Sequence, residues 1–211
     1  MTGQPDAEAE PIRAFFAVEL GAEACAEAAA VADVLHARPG GDGVRWVRAE
    51  GLHVTLRFLG NVDADAVPAL VGHVAGRIAG HSAFELALGR VFGLPNDHRP
   101  RVVAVDLVPH EPLESLAASV EEGVVAAGFA PEPRSFRVHA TLGRVRRGRR
   151  AVSLADPPAP ASPDGTPFLV EDFVLFRSRQ SRSGPDYTVL ERIALGAHPS
   201  NHSLQTHGLE E

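Results

Sequence analysis

Two histidines stand in the same short phrase, His53-Val54-Thr55-Leu56 and His139-Ala140-Thr141-Leu142. Imidazole is the side chain whose unperturbed pKa lies near neutrality, so a matched pair can divide the work of general acid and general base. A hydroxyl two residues beyond each histidine could bond an oxyanion. The chain has only six threonines (Thr2, Thr55, Thr141, Thr166, Thr188 and Thr206), and two of them hold this position, each followed by Leu. A β-branched residue favours strands on its own account, but that preference does not place both of them behind a histidine.

Elements must carry these groups to one place. Alternation around the first copy sets Leu52, Val54, Leu56 and Phe58 on one face of a strand and His53, Thr55 and Arg57 on the other. The second copy sets Phe136, Val138, Ala140 and Leu142 against Arg137, His139 and Thr141. Each phrase therefore offers an apolar face for a core and a His-plus-Thr face opposite.

Around them the pattern predicts strands over 12–20, 44–47, 52–59, 84–91, 102–107, 136–145, 168–177 and 187–195. Helices are predicted over 22–37, about 64–79 with Asp63 or Asp65 as N-cap, and 111–127 ended by Gly128. Gly93 to Pro100 reads as a loop, and Asp156 to Pro167 as a Pro-rich connection. Helices interleaved with hairpins, together with an imperfect duplication, indicate an α+β protein. Its expected form is two pseudo-symmetric lobes of antiparallel sheet with outer helices around a central cleft. The expected organisation is a flexible tail over 1–11, one two-lobed domain over 12–196 and a second flexible tail over 197–211.

Composition narrows the class. At 211 residues, 45% hydrophobic and 22% charged, the chain is sized for one domain or two small lobes of an ordinary globule. Its longest apolar runs are too short to span a bilayer, and Met1 to Glu10 is acidic and polar rather than signal-like. A single cysteine, Cys25, permits no internal disulfide, so the expected compartment is the cytoplasm. A net charge of −7 argues against a dedicated duplex-binding protein. The charge is uneven, however. Every cation is an Arg, with one cluster at Arg144, Arg146, Arg147, Arg149 and Arg150 and another at Arg177, Arg179 and Arg182. The Arg usage itself reads first as a compositional bias, although planar guanidinium groups also suit phosphate.

Competing chemistries have weaker support. Two histidines could ligate zinc, but a complete site takes three or four ligands. The nearby acids Glu50 and Asp63 are not convincingly arranged, and there is no HExxH or cysteine cluster. No metal and no cofactor are expected. Cys25 lies in an Ala-rich helix and is expected to pack. His36, His73, His81, His98 and His110 lack a comparable context and are expected to be solvated, while His198, His202 and His207 belong to the tail.

The segments from His53 to Gly60 (HVTLRFLG) and from His139 to Arg144 (HATLGR) resemble the two signatures of the two-histidine phosphoesterase superfamily. They are most similar to the RNA 2′,3′-cyclic phosphodiesterases, the LigT-type or 2′-5′ RNA ligase family. Further stretches fit in order: Arg13 to Val18, the Trp46 segment, Arg101 to Val103, Phe173 to Ser178, and Gly184 to Glu191. About residues 12 to 196 are covered. The resemblance implies metal-independent hydrolysis of an RNA 2′,3′-cyclic phosphate to a 2′-phosphate, with His53 as proton donor and His139 as proton acceptor. It also implies Thr55 and Thr141 on the non-bridging oxygens and Arg144 on phosphate or base.

Strict alternation puts Arg144 with Leu142, so either the strand bends at Gly143 or Arg144 lies outside the site. Arg57 has the correct parity, although the motif does not require an Arg there. Phe15 or Phe16 is a candidate to stack on a base, with core packing for at least one of them. The implied partner is RNA with a cyclic phosphate end, or a cyclic nucleotide, acting on a monomer without a membrane. Alternatives are 2′-5′ RNA ligation, hydrolysis of a small cyclic phosphate, and an RNA-binding module without turnover. The intact His and Thr of both phrases count against the last.

Overall fold

The computed structural model describes residues 11–158, 166–181 and 184–197. Both expected tails fall almost wholly outside these residues, as does the middle of the Pro-rich connection.

The chain runs β1 (Ile12–Glu19), α1 (Ala22–His36), β2 (Val44–Trp46), β3 (His53–Val62), α2 (Val67–Ile78), β4 (Phe84–Leu94) and β5 (Val102–Val108). It continues through α3 (Glu111–Ala126), β6 (Ala140–Val145), β7 (Phe168–Val170), β8 (Asp172–Ser181) and β9 (Gly184–Ala194). The nine strands among the described residues form one sheet in the order β7-β4-β5-β6-β3-β1-β8-β9, with β2 paired to β6. Every pairing between these strands is antiparallel.

This sheet curls. β7 lies at one end of the order and β8 next to the other end, yet Glu171 alone separates them in sequence. The closure is reinforced where Ala83 N–H donates to Gly196 C=O at 2.7 Å and Gly196 N–H to His81 C=O at 2.8 Å. The protein is thus α+β, a curled antiparallel sheet with few helices. The uninterrupted strand expected over 168–177 is two strands, because β7 pairs with β4 while β8 pairs with β1.

The three α-helices among the described residues cover one face of the sheet, and each long helix crosses to the other half. α1 leaves β1 to pack on β2, β4 and β6, whereas α3 leaves β5 to pack on β3. One apolar cluster results, running from Phe16, Val18, Val54 and Leu56 to Val103, Val105, Ala140 and Leu142. α2 lies against α3 at Gly123, where a Cβ would come within 2.6 Å of the Val74 Cα, so only glycine allows the two backbones to touch. The predicted helix over 64–79 begins with a 3-10 turn at Ala64–Ala66, where Asp63 accepts from Asp65 N–H, and turns α-helical at Val67 ahead of Pro68.

The two histidine phrases share an unexpected backbone feature. In the first half Val18 pairs with Val54 and Ala17 with Thr55, then Phe16 with Arg57 and Phe15 with Phe58. In the second half Val105 pairs with Ala140 and Ala104 with Thr141, then Val103 with Gly143 and Val102 with Arg144. Leu56 and Leu142 are each skipped. The fourth residue of both phrases is therefore a β-bulge, which turns the side chains that follow it to the opposite face, until in β3 a second skipped residue, Leu59, restores the original parity.

That bulge overturns the parity expected for Arg57. The Arg57 side chain turns into the helix side, 8% exposed, while Phe58 turns out at 49%. Arg57 Nε pairs with Glu121 of α3, Nη1 approaches Glu132 at 3.4 Å and Nη2 donates to Ala130 C=O at 2.5 Å. It is a strut between β3 and α3 and does not reach the His face.

The second motif strand is shorter than expected. β6 begins at Ala140, and β3 reaches it at the single pair Val54–Ala140. Phe136 to Val138 keep their alternation, with Val138 buried, but no strand among the described residues pairs with them.

Replacing Arg57 with Ala would leave Glu121 and the carbonyls of Phe58 and Ala130 without their buried donor, at a cost of about 2–3 kcal/mol. Urea unfolding followed by circular dichroism measures this loss. A midpoint equal to that of the parent would show that the strut does not support the fold.

Candidate active site

β3 and β6 lie at the middle of the sheet, and their single pair, Val54 with Ala140, lies between the two histidines. Extending that antiparallel register sets His53 across from Thr141 and Thr55 across from His139. All four side chains are half-buried on the face away from the helices, while Val54, Ala140 and Leu142 point into the core. The histidines are diagonal neighbours, a relation that in a regular sheet spans roughly 7–8 Å. That gap can hold one tetrahedral phosphorus centre between them.

Both imidazoles are held in the same way. His53 Nδ1 is 2.8 Å from the C=O of Gly51, and His139 Nδ1 is 2.8 Å from the C=O of Arg137. A carbonyl only accepts, so Nδ1 carries the proton in each neutral ring and Nε2 presents a lone pair. Neither Nε2, nor the hydroxyl of Thr55 or Thr141, bonds to another described residue.

The surroundings of the two rings differ. His53 sits among Phe15 at 5.0 Å, Tyr187 at 5.1 Å and edge-on at 87°, and Phe176 at 6.0 Å between ring centroids. These aromatics form a small cluster separate from the main core, and Phe58, turned out by its bulge, stacks at 5.6 Å on Phe15. Phe15 therefore faces the site, whereas Phe16 is fully buried against Phe173. Next to His139 lies a hollow of about 180 Å³ lined by Arg90, Phe92, Asp106, His110 and Arg137 among others. Arg137 covers the Phe92 ring at 4.5 Å.

Burial is the main reason that both histidines titrate below the usual range. For His53 the bond to Gly51 opposes this, and the charges of His139 and Arg144 add to it. For His139 the bond to Arg137 opposes it, the charges of Arg137 and Arg144 add to it, and Asp106 pulls back upward. Burial raises the Tyr187 phenol, with Arg144 drawing it down. The Arg144 guanidinium thus acts on His53, His139 and Tyr187 together. Its position follows from the bulge at Leu142, which turns Arg144 onto the His face against strict alternation. Gly143 permits the turn, since a Cβ there would meet Val44 at 2.5 Å and Trp46 at 3.0 Å.

Sequence reasoning assigned no role to Tyr187, Phe176 and Phe58. Tyr187 is the only tyrosine in the chain, but the face it occupies depends on the β8–β9 register. One histidine expected to be solvated has a partner instead, His81, whose Nε2 is 2.8 Å from the Ser119 hydroxyl; His110 is exposed, with its Nε2 2.9 Å from Asp106. Cys25 is half-buried against the core. Among the described residues no group of three or more His, Cys, Asp or Glu side chains is placed to hold a metal, and no helix is long and apolar enough to cross a membrane.

Fold and site together define a duplicated α+β protein with a paired-imidazole cleft. The family model described as LigT like phosphoesterase matches the chain twice, over residues 18–104 and 105–187. The chain belongs to that family. The RNA 2′,3′-cyclic phosphodiesterase of Escherichia coli is 34% identical over 191 residues, covering 88% of this chain and 98% of the relative. The protein of the same name from Thermus thermophilus is 34% identical over 194 residues, covering 87% and 90%. The crystal structure of Escherichia coli LigT in apo form superposes with a TM-score of 0.73 at 32% identity, covering 89% of this chain and 99% of that one. Its complex with 3′-AMP gives 0.72, covering 88% and 99%.

Removing the Arg144 charge favours both imidazolium ions, so Arg144→Ala should raise the pKa of His53 and of His139. Imidazole NMR titration reads both: in the parent each should titrate below 6.5, and in the variant both midpoints should move up. An unmoved pair would place Arg144 away from the site.

Proposed function

We propose that this chain hydrolyses RNA 2′,3′-cyclic phosphate ends to 2′-phosphates without a metal, with His53 as proton donor and His139 as proton acceptor. The observation that carries the reading is the Val54–Ala140 register, which sets two identically tethered imidazoles and two hydroxyls on one face. The names of the relatives and the nucleotide in the Escherichia coli complex support the same substrate class.

The chemistry needs groups on opposite sides of phosphorus. His139 Nε2 takes a proton from the attacking water, whose oxygen forms the new bond to phosphorus. The bond from phosphorus to the 3′ oxygen breaks, and His53 Nε2 gives that oxygen its proton. The phosphate remains on the 2′ oxygen. Thr55, Thr141 and Arg144 bond the non-bridging oxygens as charge gathers on them. In the free protein, burial and Arg144 favour two neutral rings. The anionic diester offsets Arg144 on entering and favours one imidazolium, so substrate itself helps to prepare the acid. Phe15, Phe176 and Tyr187 keep water from His53 and hold its ring plane.

His53→Ala and His139→Ala should each lower turnover of an RNA ending in 2′,3′-cyclic phosphate by about 10²–10⁴, with RNA binding retained. Turnover should survive excess chelator. Parent-level turnover in either variant would refute the paired mechanism, and 3′-phosphate as product would reverse the leaving side.

Because both free-protein pKa values lie below 6.5, the singly protonated pair is depleted as pH rises above them. The kcat/KM profile should therefore already be falling between pH about 6.5 and 8. A plateau across that interval would contradict the assigned protonation states.

A further inference from the structure

The first arginine cluster of the sequence runs on past Arg144, and the mechanism leaves its other members, Arg146, Arg147, Arg149 and Arg150, without a role. Beyond Arg144 the chain makes a tight turn in which Arg149 N–H donates to Arg146 C=O at 3.0 Å and Gly148 takes φ +74°. Arg146 N–H donates to Gly43 C=O at 2.8 Å, and Val145 N–H to Arg101 C=O at 2.9 Å. These bonds hold the turn beside the loop that precedes β5. Between them runs a groove of about 1460 Å³ lined by Arg99, Arg101, Arg146, Arg147, Arg149 and Arg150. The volume exceeds the roughly 300–1,000 Å³ of small-molecule pockets.

All six arginines are exposed, and none joins an ion pair with a described residue, in contrast to Arg48, Arg57, Arg77 and Arg192. The one carboxylate among the described lining residues, Asp97, is already engaged by Gly93 N–H at 2.5 Å. So many uncompensated cations on a chain of net charge −7 is an arrangement that self-repulsion opposes unless an anion spends time there. Among the described lining residues there is no Phe, Tyr or Trp, and the one aromatic ring is the His98 imidazole; Pro39, Pro95, Pro100, Gly40 and Val152 form the walls. Six guanidinium groups against a single imidazole ring favour phosphates as the ligand groups, taken by guanidinium forks. The ridge also continues from the site, since Arg144 and Arg146 belong to one run of chain, at the end of β6 and just beyond it.

We propose that this arginine groove binds the phosphate backbone of the RNA strand leading to the cyclic end, so that longer strands are preferred over mononucleotides whatever their sequence. The proposal rests on the phosphodiesterase reading for the strand that enters, but its test does not depend on turnover.

The combined variant Arg146→Ala, Arg147→Ala, Arg149→Ala and Arg150→Ala should be compared with the parent by fluorescence anisotropy on a short tagged single-stranded RNA across a salt series. Affinity at low salt should fall about tenfold or more, and the slope of log K against log salt should shrink by about 2–3, since each neutralised phosphate contributes about 0.7. Hydrolysis of a mononucleotide 2′,3′-cyclic phosphate should stay within about twofold of the parent, which also verifies that the variant is folded, while KM for the oligonucleotide rises. Unchanged RNA affinity and salt slope would overturn the proposal, as would a parent groove that takes anionic phospholipid vesicles in preference to RNA. If the parent binds RNA through the ridge but hydrolyses neither substrate, the groove stands and the phosphodiesterase reading falls.

Discussion

One backbone irregularity, made twice, organises this molecule. The bulges at Leu56 and Leu142 let each motif strand serve two purposes along its length. Up to the bulge, alternation keeps Val54 and Ala140 in the core and presents His-x-Thr on the other face. Past it, the faces exchange. In the first half the exchange sends Arg57 inward to Glu121 and Phe58 outward to Phe15. In the second half it packs Gly143 under Val44 and Trp46 and turns Arg144 toward both imidazoles. Bulges recur beside active sites because a one-residue slip re-aims side chains without disturbing the rest of the ladder.

The duplication is symmetric in its backbone and asymmetric in what it presents. Both histidines donate through Nδ1 to the carbonyl two residues back, and both follow the same sheet register. Yet His53 is enclosed by Phe15, Phe176 and Tyr187, while His139 lies among charged groups, with Arg137 and Asp106 acting on it in opposite senses. An acid and a base must differ in their surroundings if they are to hold different protonation states. The repeated phrase carries no such difference. It comes from β8 and β9 on one side and from β4 and β5 on the other.

Burial and charge act together on this pair. Enclosure strips water from the rings and Arg144 adds a cation beside them, and both effects favour the neutral imidazole. The same cation is the group best suited to draw in an anionic diester. In the proposed mechanism, substrate attraction and histidine deprotonation are thus two consequences of one guanidinium, linked through the phosphate charge that offsets it.

Much of this was legible in the residues themselves. Period-two alternation located both motif strands, helical spacing located α1 and α3, and the repeat of His-x-Thr-Leu singled out the pair, because each of these depends on local chemistry. The parity of Arg57, Arg144 and Phe58 was not legible, since a bulge is decided by how one strand registers on its neighbour. The break at Glu171 was hidden for a related reason: β7 and β8 read as one run until the curl of the sheet pairs them with β4 and β1. Tyr187 gave no local sign of its place beside His53, which the β8–β9 hairpin and the curl together decide. The sequence by itself determined which groups could do chemistry and which strands carried them. Tertiary structure alone decided which of those groups meet, because meeting depends on strand register and sheet curvature, and these are properties of paired chains and not of a single run of residues.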